Sequence, residues 1–237
     1  MVFSDTTNLT GILQQTRDFM RVDSTQWATA KVVNSCNNWL DFVAGYAIMK
    51  DRRFQWDDTN HTALPEGTTE LTINVSDYAF LLDEQGNRIL TLIGISILQN
   101  GKYVPLKVVD RSDPDINLSL FGTTAGTPTM YDKIADTVIR LDKLPPATVA
   151  SGLKFYFQRT PSYFAATDTT KQPGVAQPLH RGFVIASAYD GALTLGLNNL
   201  QALSVELEKE KQKVVDYFSI RNEDEVKRMT PRREDNR

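Results

Sequence analysis

The hydrophobic period of this chain changes twice along its length, and that limits its fold more than any other feature. Apolar residues recur at helical spacing from Leu9 to Met49, alternate in short runs from about 65 to 160, and return to helical spacing from His180 onward. Helices that flank a block of short strands predict an α+β fold: long N-terminal and C-terminal helices packed as a bundle, with an antiparallel β-sheet domain inserted between them.

The first helical stretch carries Leu9, Ile12, Leu13, Phe19 and Met20, and Val22-Asp23-Ser24 reads as its stop. Asp23 or Ser24 is suited to cap a second helix from Thr25 to Met49, because a short oxygen-bearing side chain can accept from the free N–H groups of a first turn. Asn34, Asn37 and Asn38 lie in the middle of that helix, where asparagine is a poor helix former, so this amide stripe is suited to pack on a neighbour.

In the middle third, Thr69–Val75 alternates and reads as a strand. Ile89–Leu98 is β-branched and apolar, with Gly94 marking a bulge or a close backbone approach. Asn100-Gly101 fits a tight hairpin turn leading into Tyr103–Val109. Met130–Ile134 and Thr137–Leu141 form a second expected hairpin, and Leu153–Arg159 is the clearest strand. The last third holds a helix from His180 to Leu195, then a charged one from Leu200 to Tyr217 with an apolar stripe of Leu203, Leu207, Val214 and Phe218. Beyond Arg221 only Val226 and Met229 are large and apolar, so residues 218–237 read as a flexible charged tail with no core of its own. The expected parts are therefore 1–64 helical, 65–160 antiparallel β, 161–217 helical and 218–237 extended.

Composition removes several function classes. No run of 18 apolar residues is present, so no membrane-spanning helix is expected, and Met1–Asp5 lacks the basic start and apolar stretch of a signal peptide. A single cysteine, Cys36, excludes an internal disulfide framework and a multi-cysteine metal site. A net charge of −3 gives no global pull toward nucleic acid. Cys36 falls inside a helix, where a buried thiol is the ordinary finding, and His180 starts a helix, where a packing role is expected. The acidic loops Asp57-Asp58-Thr59-Asn60-His61 and Asp113-Pro114-Asp115 match neither a calcium loop nor an acid/base pair. No phosphate-binding glycine loop occurs. No enzymatic activity, cofactor or metal is expected.

Three segments in combination resemble the head–tail adaptor (connector, or neck) proteins of tailed bacteriophages. The first is Arg52–Pro65, with Phe54-Gln55-Trp56-Asp57-Asp58-Thr59-Asn60-His61-Thr62 at the junction from helix to sheet. The second is Thr127–Ile134. The third and most specific is Gly152–Phe164, continuing through Asp168-Thr169-Thr170-Lys171 to Pro173-Gly174 and a helix with Ala188-Tyr189-Asp190.

The resemblance implies a virion structural protein, a ring of about twelve copies docked on the portal protein and surrounding the DNA channel, in contact with the tail or a further neck protein. Genomic DNA would pass through without sequence-specific binding, and no membrane is involved. It also implies that the C-terminal segment inserts against the portal, with Phe218, Val226 and Met229 as apolar anchors and Arg221, Lys227, Arg228, Arg232 and Arg233 as charge partners. The alternatives are another neck component (a stopper or tail-completion ring), a tail-associated receptor- or glycan-binding module, and a metal-dependent hydrolase built on the acidic loops.

Overall fold

A computed structural model describes residues 1–50, 65–109 and 117–220. Among these residues the fold is α+β, with four α-helices and two four-stranded sheets.

Helix α1 (Ile12–Met20) has only nine residues. Arg21 stops it by entering the left-handed region at φ 56°, where its N–H reaches back to the carbonyls of Arg17 and Asp18. The long N-terminal helix packing expected from the sequence is therefore carried by α2 (Thr29–Lys50) alone. That helix starts four residues later than Asp23 or Ser24 would have set it. The Asp23 carboxylate accepts from the N–H groups of Thr25 and Gln26, and its carbonyl accepts from Trp27 N–H. Asp23 thus closes a separate turn, and the helix opens only at Ala28, whose carbonyl takes the N–H of Val32.

Helix α3 (His180–Leu195) is largely apolar, and apart from the exposed Arg181 its residues from His180 to Ala188 are all buried, which requires neighbours on most sides. It packs against α1, α2 and α4 (Leu200–Ile220). Two glycines permit this closeness: a β-carbon on Gly182 would stand 2.6 Å from the Trp39 ring, and one on Gly191 would strike Met20. Phe3, Ile12, Trp27, Val32, Leu40, Val43, Phe164, Phe183, Val214 and Phe218 share one helical core. Helix α4 continues three residues past the expected limit at Tyr217, because Phe218 is fully buried and holds the last turn down.

Residues 65–160 form two sheets with a common core, where one antiparallel sheet was expected. The strands are β1 (Glu66–Leu71), β2 (Asp77–Ala79), β3 (Ile89–Gln99), β4 (Lys102–Pro105), β5 (Lys107–Val108), β6 (Met130–Ala135), β7 (Val138–Leu141) and β8 (Val149–Arg159). One sheet has the order β1-β8-β3-β4 and is antiparallel throughout; the other has the order β2-β7-β6-β5, with β5 parallel to β6. Leu92, Ile95, Ile97, Leu153, Phe155 and Phe157 from the first meet Tyr131, Ile139 and Leu141 from the second, which makes a sandwich.

The local turn chemistry falls where the sequence puts it. Asn100 and Gly101 both adopt positive φ, 49° and 75°, as the β3–β4 hairpin requires. The register of β3 on β8 shifts between Leu92 and Gly94. Two strands differ from expectation. The first runs from Glu66 to Leu71 and not from Thr69 to Val75, because Asn74 turns left-handed at φ 58° and donates its N–H to the Pro145 carbonyl. The strand expected over Tyr103–Val109 is broken at Leu106. The buried Leu106 donates to the Ile95 carbonyl in one sheet, and the next residue, Lys107, donates to Thr129 in the other. One residue thereby carries the chain across the sandwich.

Candidate functional site

Of the residues expected to dock on a portal, only Phe218 lies among the described residues. Its ring is fully buried, edge-on to Tyr217, in the helical core. It is a core residue of α4 and is not presented to a partner. Arg221, Val226, Lys227, Arg228, Met229, Arg232 and Arg233 lie outside the described residues, as do Asp57, Asp58, His61 and the Asp113-Pro114-Asp115 loop.

Among the described residues, the two candidates for covalent or metal chemistry, Cys36 and His180, are engaged in packing. Cys36 is buried, and burial pushes its thiol pKa up, away from the reactive thiolate. His180 is buried at the start of α3, with Nε2 2.9 Å from the Val175 carbonyl and Nδ1 3.0 Å from the Met1 amine. Nε2–H therefore donates to the carbonyl, and Nδ1 accepts from the amine. Among the described residues no group of three His, Cys, Asp or Glu side chains converges to hold a metal ion.

The segment most specific to the sequence resemblance joins the two cores. β8 contributes Leu153, Phe155 and Phe157 to the sandwich, and the chain then passes through Tyr163 and Phe164 into the helical core. Asn37 of the amide stripe clamps it there. Its side chain accepts from Phe164 N–H at 2.9 Å and donates to the Phe164 carbonyl at 3.1 Å, so an amide side chain imitates a neighbouring strand. One turn further along α2, Asp41 accepts from the Tyr163 hydroxyl at 2.6 Å. Partial burial and this hydrogen bond push the Tyr163 pKa up to about 12. Phe3 stacks on Phe164 and donates its N–H to the Lys171 carbonyl, so the chain start is tied to the same joint.

The surface features that stand out are the two flanks of the sandwich. Along one flank run the end strands β1 and β2. Phe157 N–H bonds the Pro65 carbonyl, so by alternation the peptide groups of Glu66 and Thr68 point away from β8. In the same way Phe80 N–H bonds Thr137, which turns the peptide groups of Ala79 outward. Between β1 and β2 opens a slot of about 280 Å³, with Phe80, Phe155 and Phe157 in its lining and Leu81 and Leu82 exposed at its mouth. Gly67 forms the lip; a β-carbon there would stand 2.7 Å from the Phe155 ring.

Acidic side chains run along this flank, and three of them are held in ion pairs. Asp83 accepts from the N–H groups of Gln85 and Asn87, which fixes the β2–β3 turn, and its other oxygen meets the buried Arg159 Nε at 3.3 Å. Glu66 pairs with Lys154 at 2.8 Å and Asp77 with Arg140 at 2.7 Å, while Glu70 and Glu84 are exposed.

Among the described residues the opposite flank is basic. It consists of β4 and β5, whose residues from Lys102 to Val108 are all exposed apart from Leu106. The two-residue turn makes Gln99–Lys102 a hydrogen-bonded pair, so Tyr103 and Pro105 turn their peptide groups outward. Tyr103, Val104 and Val108 are 37–52% exposed, high for β-branched and aromatic residues in strands. Lys154 holds Tyr103 from the sheet face, with its ammonium 5.6 Å from the ring.

Sequence reading located these strands but not the flanks. No local signal states which strands end a sheet. The one available cue was charge: Glu66–Leu71 carries two acids and no base, and Lys102–Val108 two bases and no acid. No protein-family model matches the chain, and no curated protein is similar to it.

Proposed function

We propose that this is a structural protein of the head–tail junction of a tailed bacteriophage, a ring-forming adaptor seated under the portal and surrounding the DNA channel. The reading rests on the resemblance of Gly152–Phe164. The observation that supports it is the place of that segment in the fold: its residues hold the sandwich to the helices. A segment with that duty is expected of a protein whose function is to set the geometry of an assembly. The helices packed around α3 provide the body of the subunit, and Asn37 of α2 ties the Phe164 segment to it. Residues 221–237 are the segment offered to the portal.

The test is co-assembly with the portal protein encoded in the same genome. Portal rings are mixed with the full chain and with a chain ending at Ile220, which keeps Phe218 and the whole of α4. Negative-stain imaging is expected to show an added ring with the full chain and none with the shortened one. Rings from both would remove the docking role of 221–237. No ring from either would overturn the adaptor reading and favour a more distal neck component or a tail-associated module.

A further inference from the structure

The two flanks of the sandwich are complementary in charge, shape and hydrogen-bonding capacity. We propose that the β1/β2 flank of one copy of this chain receives the β4/β5 flank of the next, so that copies join head to tail through their sandwiches. The proposal rests on the adaptor reading, for it supplies the contact through which such a ring would close.

Charge is the first support. The acidic flank presents Glu70 and Glu84, while Glu66, Asp77 and Asp83 are balanced by Lys154, Arg140 and Arg159; among the described residues the basic flank presents Lys102 and Lys107. Peptide groups are the second. β1 offers the outward N–H and C=O of Glu66 and Thr68, and β4 offers those of Tyr103 together with the carbonyl of Pro105. An antiparallel pairing of Tyr103 with Thr68 matches both groups and places Pro105 across from Glu66. There the carbonyl of Pro105 can accept, and its missing donor leaves only one acceptor without a partner.

Shape is the third. The same register sets Val104 across from Gly67, the lip of the phenylalanine-lined slot and the only residue of β1 without a side chain. The exposed Val104 would then cover Phe155. Because the two flanks are different surfaces, the contact is heterologous. Repeated, it closes into a ring or runs on as a filament, and it does not stop at a twofold dimer.

Two blocked variants of the full chain test this. Val104→Arg spoils the basic flank at an exposed side chain, and Thr68→Pro removes an outward donor from the acidic flank. Unchanged thermal melts establish that each folds. In sedimentation velocity the unaltered chain is expected to form species larger than a dimer, which dissociate as salt is raised. Each variant alone is expected to be monomeric. The two mixed should form a one-to-one dimer and nothing larger, since each keeps one working flank. A dimer formed by either variant alone would indicate a twofold contact and overturn the proposal, as would an unaltered chain that stays monomeric at the highest attainable concentration.

Charge reversal supplies an independent measurement. Lys102→Glu with Lys107→Glu should abolish assembly, and adding Glu70→Lys and Glu84→Lys to the same chain should restore it. Failure to restore would refute the complementarity of these flanks. These outcomes are separable from the portal experiment. A chain that rings on portals yet shows none of this pairing sinks the present inference alone, and one that pairs through these flanks but ignores portals sinks the adaptor reading alone.

Discussion

Replacing Phe218 with alanine discriminates between two duties for that residue. An anchor that docks on a partner can be cut back without harming the monomer; a core residue cannot. The ring is fully buried among the helical core side chains. A buried phenylalanine removes about 200 Å² from water. At about 25 cal/mol per Å² this is worth about 5 kcal/mol, an upper bound because the unfolded chain is itself partly collapsed. Phe218 lies in the last turn of α4, where the helix end can fold back over a cavity, so the expected loss is about 3 kcal/mol, the low end for such truncations. For a chain of this size that lowers the melting temperature by roughly 6–12 °C. Calorimetry of the chain ending at Ile220, with and without Phe218→Ala, measures it free of any contribution from 221–237. A melting temperature within a degree or two of the parent would refute the core assignment and return Phe218 to the list of docking residues.

Three further outcomes are expected. Ser187 is fully buried on α3 and its hydroxyl has no hydrogen-bond partner among the described residues, so Ser187→Ala should stabilise the protein by about 1 kcal/mol in a urea titration; destabilisation would reveal a bond to that hydroxyl. Asp83→Ala leaves the Arg159 charge buried and unties the β2–β3 turn, and should cost about 3–5 kcal/mol, while Glu84→Ala next to it should be close to neutral. Asp5 accepts from Asn8 N–H, the Thr10 hydroxyl and Thr7 N–H, which hold its carboxyl at about 2. Because the folded pKa is the lower one, its stabilising effect is complete above the unfolded value of about 4 and is lost as pH falls through about 2. Carboxyl NMR titration should place the Asp5 midpoint near the lower value, and Asp5→Asn should flatten the fall in stability over that interval.

Much of the fold was legible because turn chemistry is local. Asn100-Gly101 made a hairpin because those two residues accept positive φ cheaply, whatever surrounds them. The second hairpin appears as β6 and β7, and α3 begins at His180 and ends at Leu195 as its composition suggested. Cys36 and His180 are both buried, as thiols and helix-starting histidines in apolar sequence ought to be. The stretch from Thr69 to Val75 misled because alternation of residue types persists past the point where Asn74 turns the backbone.

Residue order alone sets where most helices and hairpins form and which way their side chains alternate, since those depend on residues within a few positions of one another. Long-range packing sets the rest: the strands divide between two sheets at Leu106, the ring of Phe218 belongs to a core, and β1 and β4 are left at the two ends of one sheet. Each of these depends on which distant segment a strand or helix end meets, on contacts more than a dozen residues apart in sequence, and neighbouring residues cannot encode that.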